Sequence, residues 1–91
     1  MTDIDIRRSH SVPLKDAKVR VERIAERIAE RFDVDYGWKG NTLLFTRSGV
    51  EGEIAVSGKD VRVFVRLGFL LFALKGSIER EIDRVIDEQF R

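Results

Sequence analysis

The sequence predicts an α+β domain of two layers, in which two helices cover one face of an antiparallel sheet of four to five strands. Two observations point to this fold class. In two segments, apolar residues recur at three- and four-residue steps, the period of a helix with one buried face. Elsewhere they alternate with polar residues, the period of a strand, and the connections are short. We predict the order β-α-β-β-β-β-α, with residues 1–91 forming a single domain.

The first two predicted elements are a short strand and a long helix. Ile4 and Ile6 alternate with charged residues, as in a strand with one apolar face. Ser11 precedes Val12 and Pro13, and we expect the helix to start here because proline is tolerated in a first helical turn. An amphipathic helix of about 18 residues follows, with one apolar stripe. Its members are Leu14, Ala17, Val21, Ile24, Ala25, Ile28 and Phe32.

The opposite face of this helix carries charges of both signs. Glu22, Glu26 and Glu30 lie among four arginines. We interpret this face as solvated, because its opposite charges cancel. The alternative is a basic stripe that binds a partner.

Four strands are predicted after the first helix, at residues 34–39, 42–47, 53–56 and 61–67. Glycine-containing turns separate them, at 39–41, 48–52 and 57–60. The last strand is the clearest, because three valines alternate with Arg62, Phe64 and Arg66. Short connections of this kind are typical of an antiparallel meander. A second helical stripe then ends the chain, with Leu74, Ile78, Ile82, Val85, Ile86 and Phe90.

Composition excludes several classes of protein. Lys and Arg number 17 against 16 for Asp and Glu, a net charge of +1, whereas nucleic-acid binders usually show a clear basic excess. The absence of cysteine excludes disulfides and thiolate metal sites and fits a reducing cytoplasm. The N-terminus has no apolar core, so we expect no secretory signal. The longest apolar run, residues 67–74, is far shorter than the roughly 20 residues of a membrane-spanning helix.

No catalytic or metal-binding motif stands out. His10 is the only histidine and lacks the spacing of a metal site, so we expect its replacement to leave function intact. Ser48 lies outside a nucleophile motif, and Gly49 with Gly52 precedes a strand rather than the helix of a phosphate loop. We interpret these glycines as a hairpin turn or bulge. We therefore expect no enzyme, metal or cofactor.

Two surfaces are candidates for binding. Arg62, Phe64 and Arg66 share one face of a strand, and an aromatic ring between basic residues is typical of sheets that bind single-stranded RNA. This is the weaker candidate, because the chain has one such aromatic and a different strand–helix order. The alternative is an exposed strand with solubilising arginines.

The stronger candidate is LGFLLFALKG at residues 67–76, in a chain that is 36% charged. On a helix, four consecutive large apolar residues point in four directions, so one packed face cannot bury them all. We predict that Leu70 or Leu71, with Leu74, belongs to the core. Phe69 and Phe72 are three residues apart and therefore neighbours, so we predict that one or both of them form a contact surface. The alternative is that the whole run is buried.

Three segments together resemble a known family. FTRSGVEGEI (residues 45–54), LGFLLFALKGSIEREI (67–82) and the opening IDIRRSHSVPLKDAKVRVERIAE are similar to the polyhydroxyalkanoic acid system proteins, also called polyhydroxyalkanoate granule region proteins. The resemblance spans nearly the whole chain. It implies a bacterial, cytoplasmic accessory role in the metabolism of this storage polyester, at the granule surface, and it brings no catalytic residues.

Two mechanisms fit that context. In the first, Phe69 and Phe72 dock on the granule, on a granule-coating protein or on a second copy in a homodimer. In the second, the C-terminal helix grips the sheet around an apolar cavity and the protein carries or senses a small acyl ligand. Cavity volume distinguishes them, because a carrier needs an apolar pocket of roughly 300 Å³ or more.

Overall fold

The computed structural model describes residues 2–90, apart from the side chains of Thr2 and Leu70. The elements are β1 (Thr2–Ser9), α1 (Leu14–Phe32), β2 (Asp35–Lys39), β3 (Thr42–Arg47), β4 (Val50–Val56), β5 (Asp60–Leu67), a 3-10 helix (Phe69–Leu74) and α2 (Lys75–Gln89). The predicted order β-α-β-β-β-β-α is confirmed. The 3-10 helix is an addition that the apolar pattern did not predict.

All five strands form one antiparallel sheet in the order β1-β5-β4-β3-β2. β2 to β5 form the predicted meander, and β1 pairs with β5 at the far edge. The register aligns buried side chains in rows across the sheet. Leu43 is paired with Ile54, and Ile54 is paired with Val63. Because side chains alternate along a strand, the rows between them point to the opposite, open face.

Both helices lie on the buried face of the sheet, as predicted. α1 contacts β2, β3 and β4, while α2 contacts β1, and the two helices contact each other. The core between the layers contains the predicted stripes, including Ile24 of α1 and Ile86 of α2, both fully buried. No polar or charged residue is buried among residues 3–90.

Ion pairs and hydrogen bonds join the layers at their edges. Arg8 of β1 contacts Asp87 of α2 at 2.6 Å. Arg20 of α1 donates to the carbonyl oxygen of Gln89 at 2.7 Å. Partly exposed pairs of this kind contribute roughly 0–1 kcal/mol each, so the apolar core carries most of the stability.

Three predicted details of the fold are wrong. β4 begins at Val50 rather than Glu53, because pairing with β3 continues to the end of that strand and only two residues remain in the turn. α1 begins at Leu14, so Pro13 occupies the capping position and not the first turn. Leu14 itself, the first residue of the helix, is 36% exposed and not part of the buried stripe.

Neither helix of the described chain combines the length and the apolar character that crossing a bilayer requires.

Candidate interaction surface

The 3-10 helix between β5 and α2 is fixed by a contact between two turns. Gly68 follows β5 in extended backbone conformation, and its N–H donates to the carbonyl oxygen of Gly49 at 2.8 Å. Gly49 lies in the β3–β4 turn with φ +83°, a left-handed conformation that glycine adopts at little cost. The carbonyl of Gly68 then accepts the N–H of Leu71 at 3.0 Å, which closes the first turn. The hairpin turn therefore positions the segment that follows β5.

The two phenylalanines of this helix form one exposed aromatic pair. A 3-10 helix has three residues per turn, so side chains three apart lie directly above each other. Phe69 is 82% exposed and Phe72 is 52% exposed. Their ring centroids are 5.8 Å apart and the rings are tilted by 40°, an ordinary aromatic contact. The two rings are therefore neighbours, as predicted. Their role as a contact surface stays a prediction.

The prediction that Leu74 belongs to the core is wrong. Leu74 is 51% exposed, whereas Leu71, three residues earlier, is partly buried and packs against the core. The prediction extended the stripe of α2 backwards with a period of 3.6 residues. Leu74 is the last residue of the 3-10 helix and lies on the same side as Leu71, but its side chain remains half exposed at the junction with α2. The side chain of Leu70, the other predicted core candidate, lies outside the described part of the structure.

Exposure of the aromatic pair is energetically unfavourable for an isolated molecule. Each exposed large apolar side chain forgoes about 1.5–3 kcal/mol of burial. The 3-10 helix also carries neither acidic nor basic residues. Contiguous apolar surface without charge is typical of a site that contacts another apolar surface.

An apolar pocket lies beneath the inner side of the 3-10 helix. Its volume is about 130 Å³, and twelve described residues line it. They come from α1, the sheet, the 3-10 helix and α2: Ile28, Phe32, Val34, Phe45, Arg47, Val50, Val65, Leu67, Leu71, Leu74, Ile78 and Ile82. Arg47 is the only charged residue in this set. Its guanidinium donates to the carbonyl oxygen of Phe32, the last residue of α1, at 2.6 Å.

The weaker candidate surface, with Arg62, Phe64 and Arg66, lies on the open face of the sheet. Arg62 donates two hydrogen bonds to the carboxylate of Asp5, at 3.0 and 2.7 Å. This hydrogen bonding lowers the pKa of Asp5 and raises that of Arg62. The guanidinium of Arg62 also lies 6.0 Å from the ring centre of Phe64.

Acidic residues neighbour these arginines. Arg66 is paired in register with Glu51 and Asp3, and Phe64 is paired with Glu53. A shallow depression here is lined by Glu51 and Glu53 as well as by Phe64 and Arg66. The carboxylates reduce the attraction of this face for phosphate groups.

His10 lies in the connection between β1 and α1. Its Nδ1 accepts the N–H of Val12 at 3.0 Å, and its ring centre is 5.0 Å from that of Phe90. Its Nε2 is buried and has no hydrogen-bond partner among the described residues. These contacts give the histidine a structural role in the chain's approach to α1.

No group of three or more potential metal ligands is assembled within residues 2–90. The glycines that a phosphate loop would need are separated by the structure. Gly49 lies in the β3–β4 turn, whereas Gly52 is paired with Phe45 inside the sheet.

Sequence reasoning did not identify Arg47 or the pocket. The lining residues are spread from position 28 to position 82, so no local spacing brings them together. The sequence signal that could have pointed to Arg47 is its position, as a basic residue at the end of a predicted strand. Its closeness to the end of α1 follows only from the packing of the two layers.

The comparisons with known proteins identify a family. No curated protein and no solved structure matches the chain. Residues 4–90 match the family described as polyhydroxyalkanoic acid system proteins. The match covers both helices, all of β2 to β5 and the candidate surface. The chain therefore belongs to the polyhydroxyalkanoic acid system protein family.

Proposed function

We propose that this protein is a non-catalytic accessory protein of polyhydroxyalkanoate metabolism, which docks on the apolar surface of the storage granule through Phe69 and Phe72. The observation that carries the proposal is the exposed aromatic pair, 5.8 Å apart on a segment without charge. Family membership supplies the polyester context. A cytoplasmic location at the granule is part of the same proposal.

The chemistry of the pair suits a flat apolar partner. Aromatic rings supply a large contact area, and each has only two side-chain torsions to immobilise. Burying both rings recovers most of roughly 1.5–3 kcal/mol for Phe69 and about half of that for Phe72, which is already half buried. The neighbouring α2 carries charges on its exposed side, which keep the remainder of the molecule in solvent.

A carrier of a small acyl ligand is the second candidate, and the pocket is the observation that favours it. Its volume of about 130 Å³ is smaller than the roughly 300–1,000 Å³ of typical ligand pockets. A long acyl chain would not fit inside. We therefore place docking first. Nucleic-acid binding through Arg62, Phe64 and Arg66 ranks third, because Asp5 and the glutamates share that face.

Reconstitution with polyester particles tests the docking proposal. Purified protein is sedimented with protein-free polyhydroxyalkanoate particles and with native granules, and the bound fraction is measured at several salt concentrations. We expect binding to both, with little dependence on salt because the contact is apolar.

Two results would contradict direct docking. Binding to native granules alone would assign the partner as a granule-coating protein. A stable dimer by analytical ultracentrifugation, with the aromatic pair protected and no particle binding, would assign the surface to a second copy.

A further inference from the structure

We propose that the apolar pocket beneath the 3-10 helix binds the hydrocarbon tail of a short-chain alkanoic acid, with the carboxylate held by Arg47. This inference goes beyond docking on granules, because it assigns a ligand to a site that excludes both Phe69 and Phe72. It also differs from carriage of a long acyl chain, which the pocket is too small to enclose.

The size of the pocket sets the length of the tail. Its volume of about 130 Å³ is close to that of an engineered protein cavity of about 150 Å³ that takes up benzene. A chain of about six carbon atoms has a similar number of heavy atoms. The optimum ligand should therefore be near six carbons long, and further methylene groups should remain outside.

The lining selects a saturated apolar tail. Eleven of the twelve described lining residues are apolar. The sheet contributes Phe45 and Leu67, and α1 contributes Ile28. The 3-10 helix contributes Leu71 and Leu74. This lining favours a hydrocarbon tail, because a tail that enters the pocket is removed from water.

Arg47 is the only charged residue among the described residues that line the pocket. A guanidinium has five N–H donors, and the described contacts use one of them, to the carbonyl oxygen of Phe32. The ion pairs of residues 2–90 do not include Arg47. Its side chain is exposed, so a carboxylate can approach it from solvent while the tail lies in the pocket. Arginine and carboxylate match in planar, two-bond geometry.

Methyl NMR titration of the full chain tests this assignment. The probes are hexanoate, hexan-1-ol and hexylamine, which share a tail and differ in head-group charge. We expect the methyl signals of Leu71, Leu74 and Ile78 to shift, with affinity falling in the order hexanoate, hexanol, hexylammonium. Hexanoate should bind more tightly than butanoate, and decanoate should give no further gain.

Two variants locate the site. Arg47→Gln should weaken hexanoate binding roughly tenfold, since a hydrogen bond to a charged group is lost, and should leave hexanol binding unchanged. Ile78→Phe, which fills the pocket, should abolish both. Phe72→Ala is the control and should bind hexanoate normally even if it no longer docks on granules, which separates this proposal from the previous one.

Three results would overturn the proposal. One is the absence of pocket methyl shifts with any probe at millimolar concentration. Another is equal affinity for hexanoate and hexylammonium. The third is an unchanged hexanoate affinity in Arg47→Gln, which is an exposed substitution that leaves the core intact.

Discussion

The aromatic ring of Phe45 lies against the backbone of Gly52, its register partner on the neighbouring strand, in the space that a β-carbon would occupy. Phe45 is buried and also lines the apolar pocket. The glycine therefore allows the large ring of Phe45 to lie against the neighbouring strand β4. Gly52 has a structural reason to be in the middle of a strand, where glycine is otherwise unfavourable.

Gly52→Ala should destabilise the protein by about 1–3 kcal/mol, because the added methyl group forces the Phe45 ring out of its position. Gly37→Ala is the matched control. It also lies in a strand, and a β-carbon there would meet no atom within 4 Å. The control should be neutral or slightly stabilising, since alanine reduces the entropy of the unfolded chain. Urea unfolding measures both free energies, and equal effects would contradict the contact.

Stability should fall in acid through the pair of Asp5 and Arg62. The hydrogen bond from Arg62 lowers the pKa of Asp5 in the folded protein below its ordinary value. The stabilisation is therefore present above pH of about 4 and is lost as the pH falls through the folded pKa. Asp5→Asn should show a shallower decline of the urea midpoint as the pH falls below about 4.

Asp83→Asn is the control for this measurement, because Asp83 is exposed and belongs to none of the ion pairs described for residues 2–90. Its acid profile should match that of the unmodified protein. If the acid profile of Asp5→Asn also matches that of the unmodified protein, the pair of Asp5 and Arg62 does not contribute to stability in solution.

His10→Ala should reduce stability and leave granule association intact. The substitution removes the acceptor of the Val12 N–H and the ring contact with Phe90. The expected cost is about 0.5–1.5 kcal/mol, the usual net contribution of a hydrogen bond. Thermal unfolding and co-sedimentation measure the two quantities. Lost association at an unchanged melting temperature would instead show that His10 belongs to a functional site.

Leu74→Ala should cost much less stability than Ile82→Ala. Ile82 is 2% exposed in the core, and its truncation should cost about 2–5 kcal/mol. Leu74 is half exposed at the edge of the pocket, so we expect about 1 kcal/mol or less. The comparison uses denaturant unfolding with both variants. Equal losses would place Leu74 inside the core after all.

The element order was predictable because the buried and exposed residues alternate with clear periods. In β5, every second residue is buried from Val61 to Leu67, and the stripe of α1 has its predicted buried members. The end of that stripe at Leu14 and the start of β4 were not predictable, because they depend on how the helix packs on the sheet and where strand pairing stops.

The site was predictable only in part. Crowding of apolar residues at 67–74 indicated that some of them are exposed, and Phe69 and Phe72 are. The 3-10 helix follows a contact between Gly68 and Gly49, which are 19 residues apart, so local periodicity did not reveal the change from 3-10 to α-helical geometry after Leu74. The pocket near Arg47 likewise requires the tertiary packing of four elements.

The central claim is that Phe69 and Phe72 carry docking on the granule while contributing little to the fold. Its most direct test is co-sedimentation of Phe69→Ala/Phe72→Ala with protein-free polyester particles, beside thermal unfolding of the same variant. Leu44→Ala is the matched control, since it removes an exposed apolar side chain, 40% accessible, from the opposite face of the sheet. The account predicts that the double variant loses at most about 1 kcal/mol of stability. Its particle affinity should fall by roughly tenfold or more, with the control unchanged on both measures. Undiminished particle binding by a folded double variant would contradict the account.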